Sequence, residues 1–169
     1  MKWNILSQKD SISMPDIKIR EAHPDDLEIL QSFEQGIIQF ERPFAPNLKD
    51  DPITYYDLLQ LIEREDAKVI VATVDNNIVG SGYALIKTSP PYKNPEKFVY
   101  LGFMFVLPEY RGKGINGMII DDLVAWSQER KMTDFQLDVY AENEIALNAY
   151  LKRKFKPYLL KMRLDLENG

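Results

Sequence analysis

The sequence predicts a mixed α/β domain: a central mixed β-sheet flanked by helices, with elements in the order β-α-α-β-β-β-α-β-α-β. Three observations carry this. Two β-branched runs, AKVIVATV and IVGSGYALIK, flank the turn residues Asp75, Asn76 and Asn77. FVYLGFMFV at 98–106 is almost continuously apolar, as a strand covered on both faces is. Elsewhere apolar residues recur at helical spacing, as in Leu27, Leu30, Phe33 and Ile37, and again in Ile115, Ile119, Leu123 and Trp126.

In order along the chain, residues 1–15 are mostly polar and read as a loose arm ahead of one domain at 16–169. The IKI strand follows Asp16. Pro24 suits a first helical position, and Asp25 and Asp26 suit a first turn. ERPFAP breaks the first helix. A second helix is expected from near Pro52, carrying Ile53, Tyr56, Leu59 and Ile62. After the hairpin and the apolar strand comes the loop PEYRGKG, then a long amphipathic helix. Phe135, Leu137 and Val139 alternate with polar residues as a strand over 134–140. NEIALNAYLKR reads as a short helix, and Tyr158, Leu160, Met162, Leu164 and Leu166 alternate as a final strand. That last strand either pairs with a second chain, giving a homodimer, or is covered within its own sheet.

Composition narrows the chemistry. The 169 residues hold 21 Lys plus Arg, 26 Asp plus Glu, one His and no Cys, for a net charge of −5. Without cysteine there is no disulfide, no thiol nucleophile and no thiolate metal site. One histidine leaves little room for an imidazole metal site or a Ser–His triad, so no metal is expected. The acidic balance argues against nucleic acid as a partner. No apolar run approaches the roughly 18 residues of a membrane span. With no signal-peptide h-region in the first 15 residues, a cytoplasmic location is the expectation.

The informative segment is strand, PEYRGKGIN, helix. A helix start leaves about four backbone N–H groups unpaired and carries roughly half a positive charge. Gly112 and Gly114 let a ligand approach the backbone, and Arg111 and Lys113 add two cations. A phosphate site follows from this set, with a solvated glycine turn as the plainer alternative. The P-loop pattern fails, because Gly114 follows Lys113 where Ser or Thr is required. Gly112, Gly114 and Gly117 match the dinucleotide pattern, but four residues separate the strand from the first glycine, and the chain is short for a nicotinamide-binding domain.

The arrangement resembles the GCN5-related N-acetyltransferase (GNAT) family, whose acetyl-CoA loop reads Arg/Gln-x-x-Gly-x-Gly/Ala. Here it reads Arg111-Gly112-Lys113-Gly114-Ile115-Asn116, with Asn116 where the family has a small residue. A second family motif, Asn-x-x-Ala-x-x-x-Tyr, is matched by Asn143, Ala146 and Tyr150, followed by Phe155; Lys154 replaces the usual glycine before it. The likeness extends over 16–169.

The resemblance implies that the strands at 98–106 and 134–140 splay apart. The pantetheine arm of acetyl-CoA would bond to backbone near Phe105 and Val106, and its pyrophosphate would sit on 111–116. Asn143 would contact the pantetheine or the loop beside it. It also implies direct transfer of acetyl to a primary amine of a small molecule or peptide, without an acyl-enzyme intermediate. The absence of cysteine agrees with that. Tyr150 would be the acid: a phenol, with a reference pKa near 10 against about 8.5 for a thiol, is protonated at neutral pH and can donate to the departing thiolate. Many relatives place a glutamate base on the 98–106 strand, which here offers no acid. Glu34, Glu41, Asp138 or water are the candidates, with Glu41 and Asp138 also expected beside the acceptor; a solvated or paired surface acid is the ordinary alternative for each. His23 beside Pro24 is a base only by elimination and reads better as a cap. Phe40, Phe44, Tyr55 and Tyr56 are candidates for an aromatic acceptor pocket or for core. The missing acid also leaves open a different class, a non-catalytic acyl-CoA-binding or sensor module.

Overall fold

The computed structural model describes residues 16–167, so the expected arm at 1–15 lies outside the described residues. The elements are β1 (Ile17–Glu21), α1 (Leu27–Glu41), α2 (Leu58–Glu63), β2 (Ala67–Val74), β3 (Asn77–Thr88), β4 (Lys97–Val106), α3 (Ile115–Glu129), β5 (Phe135–Gln136) and α4 (Glu144–Lys152). They form one five-stranded sheet in the order β1-β2-β3-β4-β5. Neighbours are antiparallel except β4 and β5, which run parallel. The fold is the mixed α/β sheet with flanking helices that the sequence predicts.

Each face of the sheet is covered by helix. In β2, Val69 and Val71 point to α1 and α2, where they meet Leu30, Phe33, Leu58 and Leu61. Ile70 and Ala72 point the other way, to Ile115, Ile119, Leu123 and Trp126 of α3. The period of two thus feeds two cores from one strand. Asp75 and Asn76 take positive φ at the β2–β3 turn, as a tight hairpin requires.

β4 obeys the same alternation only as far as Gly102. Val99 and Leu101 face α3, whereas Tyr100 faces α1. A Cβ on Gly102 would strike the Tyr83 ring, which also lies on the α1 side. Phe103, the next residue, faces α1 as well, at 2% exposure, and takes φ 58. Two consecutive residues on one face make a β-bulge, matching the register shift between Ser81 and Tyr83 on β3. A left-handed φ on a bulky residue is strained and persists only where the surroundings hold it. Here Ser81 donates its hydroxyl to the Phe103 carbonyl at 3.1 Å, and the ring packs on Tyr56. Beyond the bulge the parity is inverted: Phe105 faces α1, and Met104 and Val106 face α3.

Three elements depart from the sequence expectation. The second helix begins at Leu58, not near Pro52. Asp57 caps it, accepting from the Gln60 N–H at 3.0 Å, and the N–H groups of Tyr55 and Tyr56 are taken by the Glu34 carboxylate instead of a helical turn. The strand expected over 134–140 pairs with β4 only at Phe135 and Gln136, and no ladder continues from Leu137 on. The strand expected over 158–166 does not form: no other strand lies beside it among the described residues, so its backbone has no ladder to join.

Candidate active site

The site begins where β4 and β5 separate. They pair at Val99–Phe135 and Tyr100–Gln136, and the Val99 N–H reaches the Asp134 carbonyl at 2.8 Å. From Leu101 to Val106 the β4 edge on that side has no strand partner among the described residues. An open slot flanked by free strand backbone accepts an extended ligand as an added strand would.

The slot leads to the glycine loop. Gly112 and Gly114 hold φ 74 and φ 80, with nothing within 4 Å of where a Cβ would stand. Glycine is required there by the left-handed backbone, and the space in front is open. Gly114 is the residue that opens α3, so the first N–H groups of a 15-residue helix, Ile115 and Asn116 among them, start at this loop. Arg111 folds back, its Nε donating to the Val106 carbonyl at 2.9 Å. That bond fastens the loop to the end of β4. Lys113 is exposed, with Nζ 4.9 Å from the centre of the Tyr110 ring. Gly117 has a packing reason of its own: a Cβ there would overlap the Arg153 guanidinium, which pairs with Asp121 and ties α4 to α3.

The residues of the second motif lie at the start of α4 and along it. Asn143 is 7% exposed and caps α4, its Oδ1 accepting from the Ala146 N–H at 3.1 Å. The Tyr150 ring meets Phe155 edge-on at 5.8 Å. Burial, with the charge of Glu41 adding to it, pushes the Tyr150 hydroxyl up to about 12. It is therefore a neutral donor throughout the physiological range.

The far wall is aromatic and acidic. Rings run in contact from Tyr55 to Tyr56 to Tyr83 to Tyr100, and a second run joins Phe40, Phe44 and Tyr140. Tyr100 donates its hydroxyl to Asp138 at 3.1 Å. Glu41 sits among these rings. Burial raises its carboxyl above the usual glutamate range. Burial raises the hydroxyls of Tyr55, Tyr56, Tyr100 and Tyr140, and the negative charge of Glu41 raises each further. One carboxylate is thus felt at five phenols drawn from α1's neighbour segment, β4, the stretch after β5 and α4.

Of the expected acids, Glu41 and Asp138 come to this wall. Glu34 does not serve it directly. It is 1% exposed, and its Oε1 accepts from the N–H groups of Tyr55 and Tyr56 at 2.6 and 2.8 Å. His23 caps the turn before α1, with Nδ1 accepting from the Asp25 N–H at 3.3 Å. Tyr83, Tyr100 and Tyr140 are absent from the sequence reading of the site, since nothing local distinguishes them from core or surface tyrosines. Their spacing from Glu41 exists only in the fold.

A family model described as acetyltransferase (GNAT) family matches residues 34–155, which include the glycine loop, the slot and Tyr150. The chain belongs to the GNAT acetyltransferase family. No curated protein matches it. Solved structures share the fold. A tetramutant of BH1408 from Bacillus halodurans superposes with a TM-score of 0.79 at 20% identity, covering 88% of this chain and 99% of that one. A predicted acetyltransferase from Clostridium acetobutylicum, solved with acetyl-CoA, gives 0.70 at 18% identity, over 90% and 98%. The aminoglycoside N-acetyltransferase AAC(6')-Iy, in complex with CoA, gives 0.66 at 17% identity, over 88% and 99%. No helix among the described residues of this GNAT chain is long and apolar enough to cross a membrane.

Proposed function

We propose that the protein transfers acetyl from acetyl-CoA directly to a primary amine of a small molecule or peptide, with no acyl-enzyme intermediate. The observation that carries this is the unpaired edge of β4 from Leu101 to Val106, followed by the open Gly112–Gly114 loop at the start of α3. Acetyl-CoA supplies the activated acetyl thioester. Backbone of Phe105 and Val106 holds the pantetheine arm. Gly112, Lys113, Gly114, Ile115 and Asn116 receive the pyrophosphate, while Arg111 keeps that loop in place through Val106. Asn143, whose Oδ1 is committed to the cap, turns its amide nitrogen to the ligand. A β4 N–H polarises the carbonyl. Tyr150 gives its proton to the sulfur as the C–S bond breaks, and CoA leaves as the free thiol. The amine's surplus proton passes toward Glu41, by way of water, and Asp138 lies on the same acceptor wall. No metal takes part.

The solved relatives bound to acetyl-CoA and CoA support the co-substrate. The lack of an acid on β4 favours a second reading, a non-catalytic acyl-CoA sensor. One experiment separates the two. Saturating acetyl-CoA raises the melting temperature under both readings, and Arg111→Ala with Lys113→Ala reduces the rise. A panel of primary amines assayed for CoA thiol release gives turnover above background only for the transferase. Binding without thiol release from any amine establishes the sensor, and no thermal shift rejects both.

A further inference from the structure

The helix that carries Tyr150 has little holding it. Among the described residues, none in α4 is buried and none joins either core cluster. α3, by contrast, is set on the sheet by Ile115, Ile119, Leu123 and Trp126. Packing of an apolar face is what ordinarily places a helix, so α4 takes its place from its two ends. At the first end, Asn143 is buried and caps the opening turn. At the other, Tyr150 itself is the anchor point. Its carbonyl accepts from the N–H groups of Arg153 and Phe155 at 3.0 and 3.2 Å. Between them Lys154 holds φ 68, which turns the chain back on the helix. The Phe155 ring then packs on the α3-side core, and the Arg153 guanidinium reaches α3 itself. Its Nη1 and Nη2 donate to the two carboxylate oxygens of Asp121 at 2.5 and 3.3 Å. The planar group lies against Gly117 in the first turn of α3, where a Cβ would overlap it.

We propose that Arg153 is a positioning residue for acetyl transfer: clamped between Gly117 and Asp121, it fixes Tyr150 relative to the helix that starts at the 111–116 loop. This rests on the reading of Tyr150 as the acid. A proton donor works only within hydrogen-bond reach of the leaving sulfur. A misplacement of about 1 Å can cost on the order of 100-fold in rate. Under the same reading the thioester is held by β4 and by the loop that opens α3, so the acid must be in register with α3. A guanidinium supplies that register, because two parallel bonds fix an orientation where an ammonium fixes only a distance. Stability gains little from the pair, since Asp121 is 68% exposed. Its loss is therefore read in the rate and in the mobility of α4 rather than in the melting temperature.

Amide hydrogen exchange on the full chain reads the clamp without any substrate. Arg153→Ala speeds exchange several-fold across α4 and leaves the α3 amides at the wild-type rate. Exchange in α4 that does not change overturns the proposal. Turnover with a competent amine reads the role. Arg153→Ala lowers kcat about 10-fold with the KM for acetyl-CoA nearly constant, and Arg153→Lys recovers part of the loss. Gly117→Ala changes no charge and displaces the guanidinium, so it lowers kcat in the wild type and adds nothing in Arg153→Ala. Arg153→Ala likewise adds nothing in Tyr150→Phe. A full, independent loss from Arg153→Ala on top of Tyr150→Phe overturns the positioning role and leaves the acid reading intact. Wild-type turnover in Tyr150→Phe is the separate failure of the acid reading, and it takes the positioning role with it.

Discussion

The two walls of the slot are built on different logic. The cofactor wall, β4 with the 111–116 loop, is made of contiguous chain: one strand end, two left-handed glycines and one helix start. Its side chains serve mainly to shape backbone, as when Arg111 ties the loop to Val106. The acceptor wall is assembled from Glu41, Tyr55, Tyr56, Tyr100, Asp138 and Tyr140, which come from four separate stretches of chain, and its character is electrostatic. Under the proposed acetyl transfer, backbone would hold the constant acetyl-CoA half of the reaction and side chains the variable amine half. Substitutions should therefore separate the two walls in kinetics.

The largest effect is expected at Tyr150, the proposed acid, whose hydroxyl feels the charge of Glu41. Tyr150→Phe should lower turnover on the order of 100-fold, the usual scale for losing a general acid, while acetyl-CoA affinity stays nearly constant. Steady-state kinetics with a competent amine and a thermal shift with acetyl-CoA measure the two quantities. Unchanged turnover removes the acid role.

Glu41→Gln should come next and should act on one wall only. The KM for the amine should rise about 10-fold, a charge-assisted contact's worth, with the KM for acetyl-CoA unmoved. The wild-type rate should fall toward acid with a midpoint above the ordinary glutamate value, because burial raises this carboxyl, and the variant should lose that limb. Stability should move the other way. A carboxyl whose folded pKa is raised binds its proton more tightly folded than unfolded. It costs stability above that pKa, and the cost disappears as pH falls through it. Glu41→Gln should accordingly raise the melting temperature at neutral pH and leave it unchanged at low pH. A Tm that falls at neutral pH would contradict this placement of the carboxyl.

The smallest effect belongs to the cofactor wall. Gly114→Ala meets no atom and is opposed only by φ 80, so it should cost about 1 kcal/mol in stability. Chemical denaturation reads that directly. The acetyl-CoA thermal shift should shrink in the same variant, while the amine KM holds. A larger loss of stability, or a change in amine KM, would mean that the walls are not independent.

The same division explains what was legible in the sequence. Gly112, Gly114, Asn143 and Tyr150 sit at fixed spacings on single elements, so a linear pattern carries them. The strand β4 was legible as apolar, but its change of face at Phe103 was not: alternation predicts Phe103 beside Leu101, and only the bulge opposite Ser81 reverses it. A helix from near Pro52 is expected because Ile53, Tyr56 and Leu59 keep helical spacing, while Glu34, more than 20 residues upstream, takes the N–H groups of Tyr55 and Tyr56. The segment at 158–166 alternates as a strand does but forms none in the fold, because alternation does not name a neighbour. Tyr55 and Tyr56 are candidates from the sequence, whereas Tyr100 and Tyr140 leave no trace there, since proximity to Glu41 across separate stretches is a property of the fold.

Glu34 has a consequence for how such a protein can change. It grips the main-chain N–H groups of residues 55 and 56 and no part of their side chains. Every amino acid but proline offers that same N–H. The grip therefore survives a change of side chain at 55, whereas Tyr56 also packs on Phe103 and Tyr83 and is held as core. Under the proposed acetyl transfer, a lineage can explore new acceptors at position 55 by single substitutions without releasing the segment, so long as the carboxylate of Glu34 is kept.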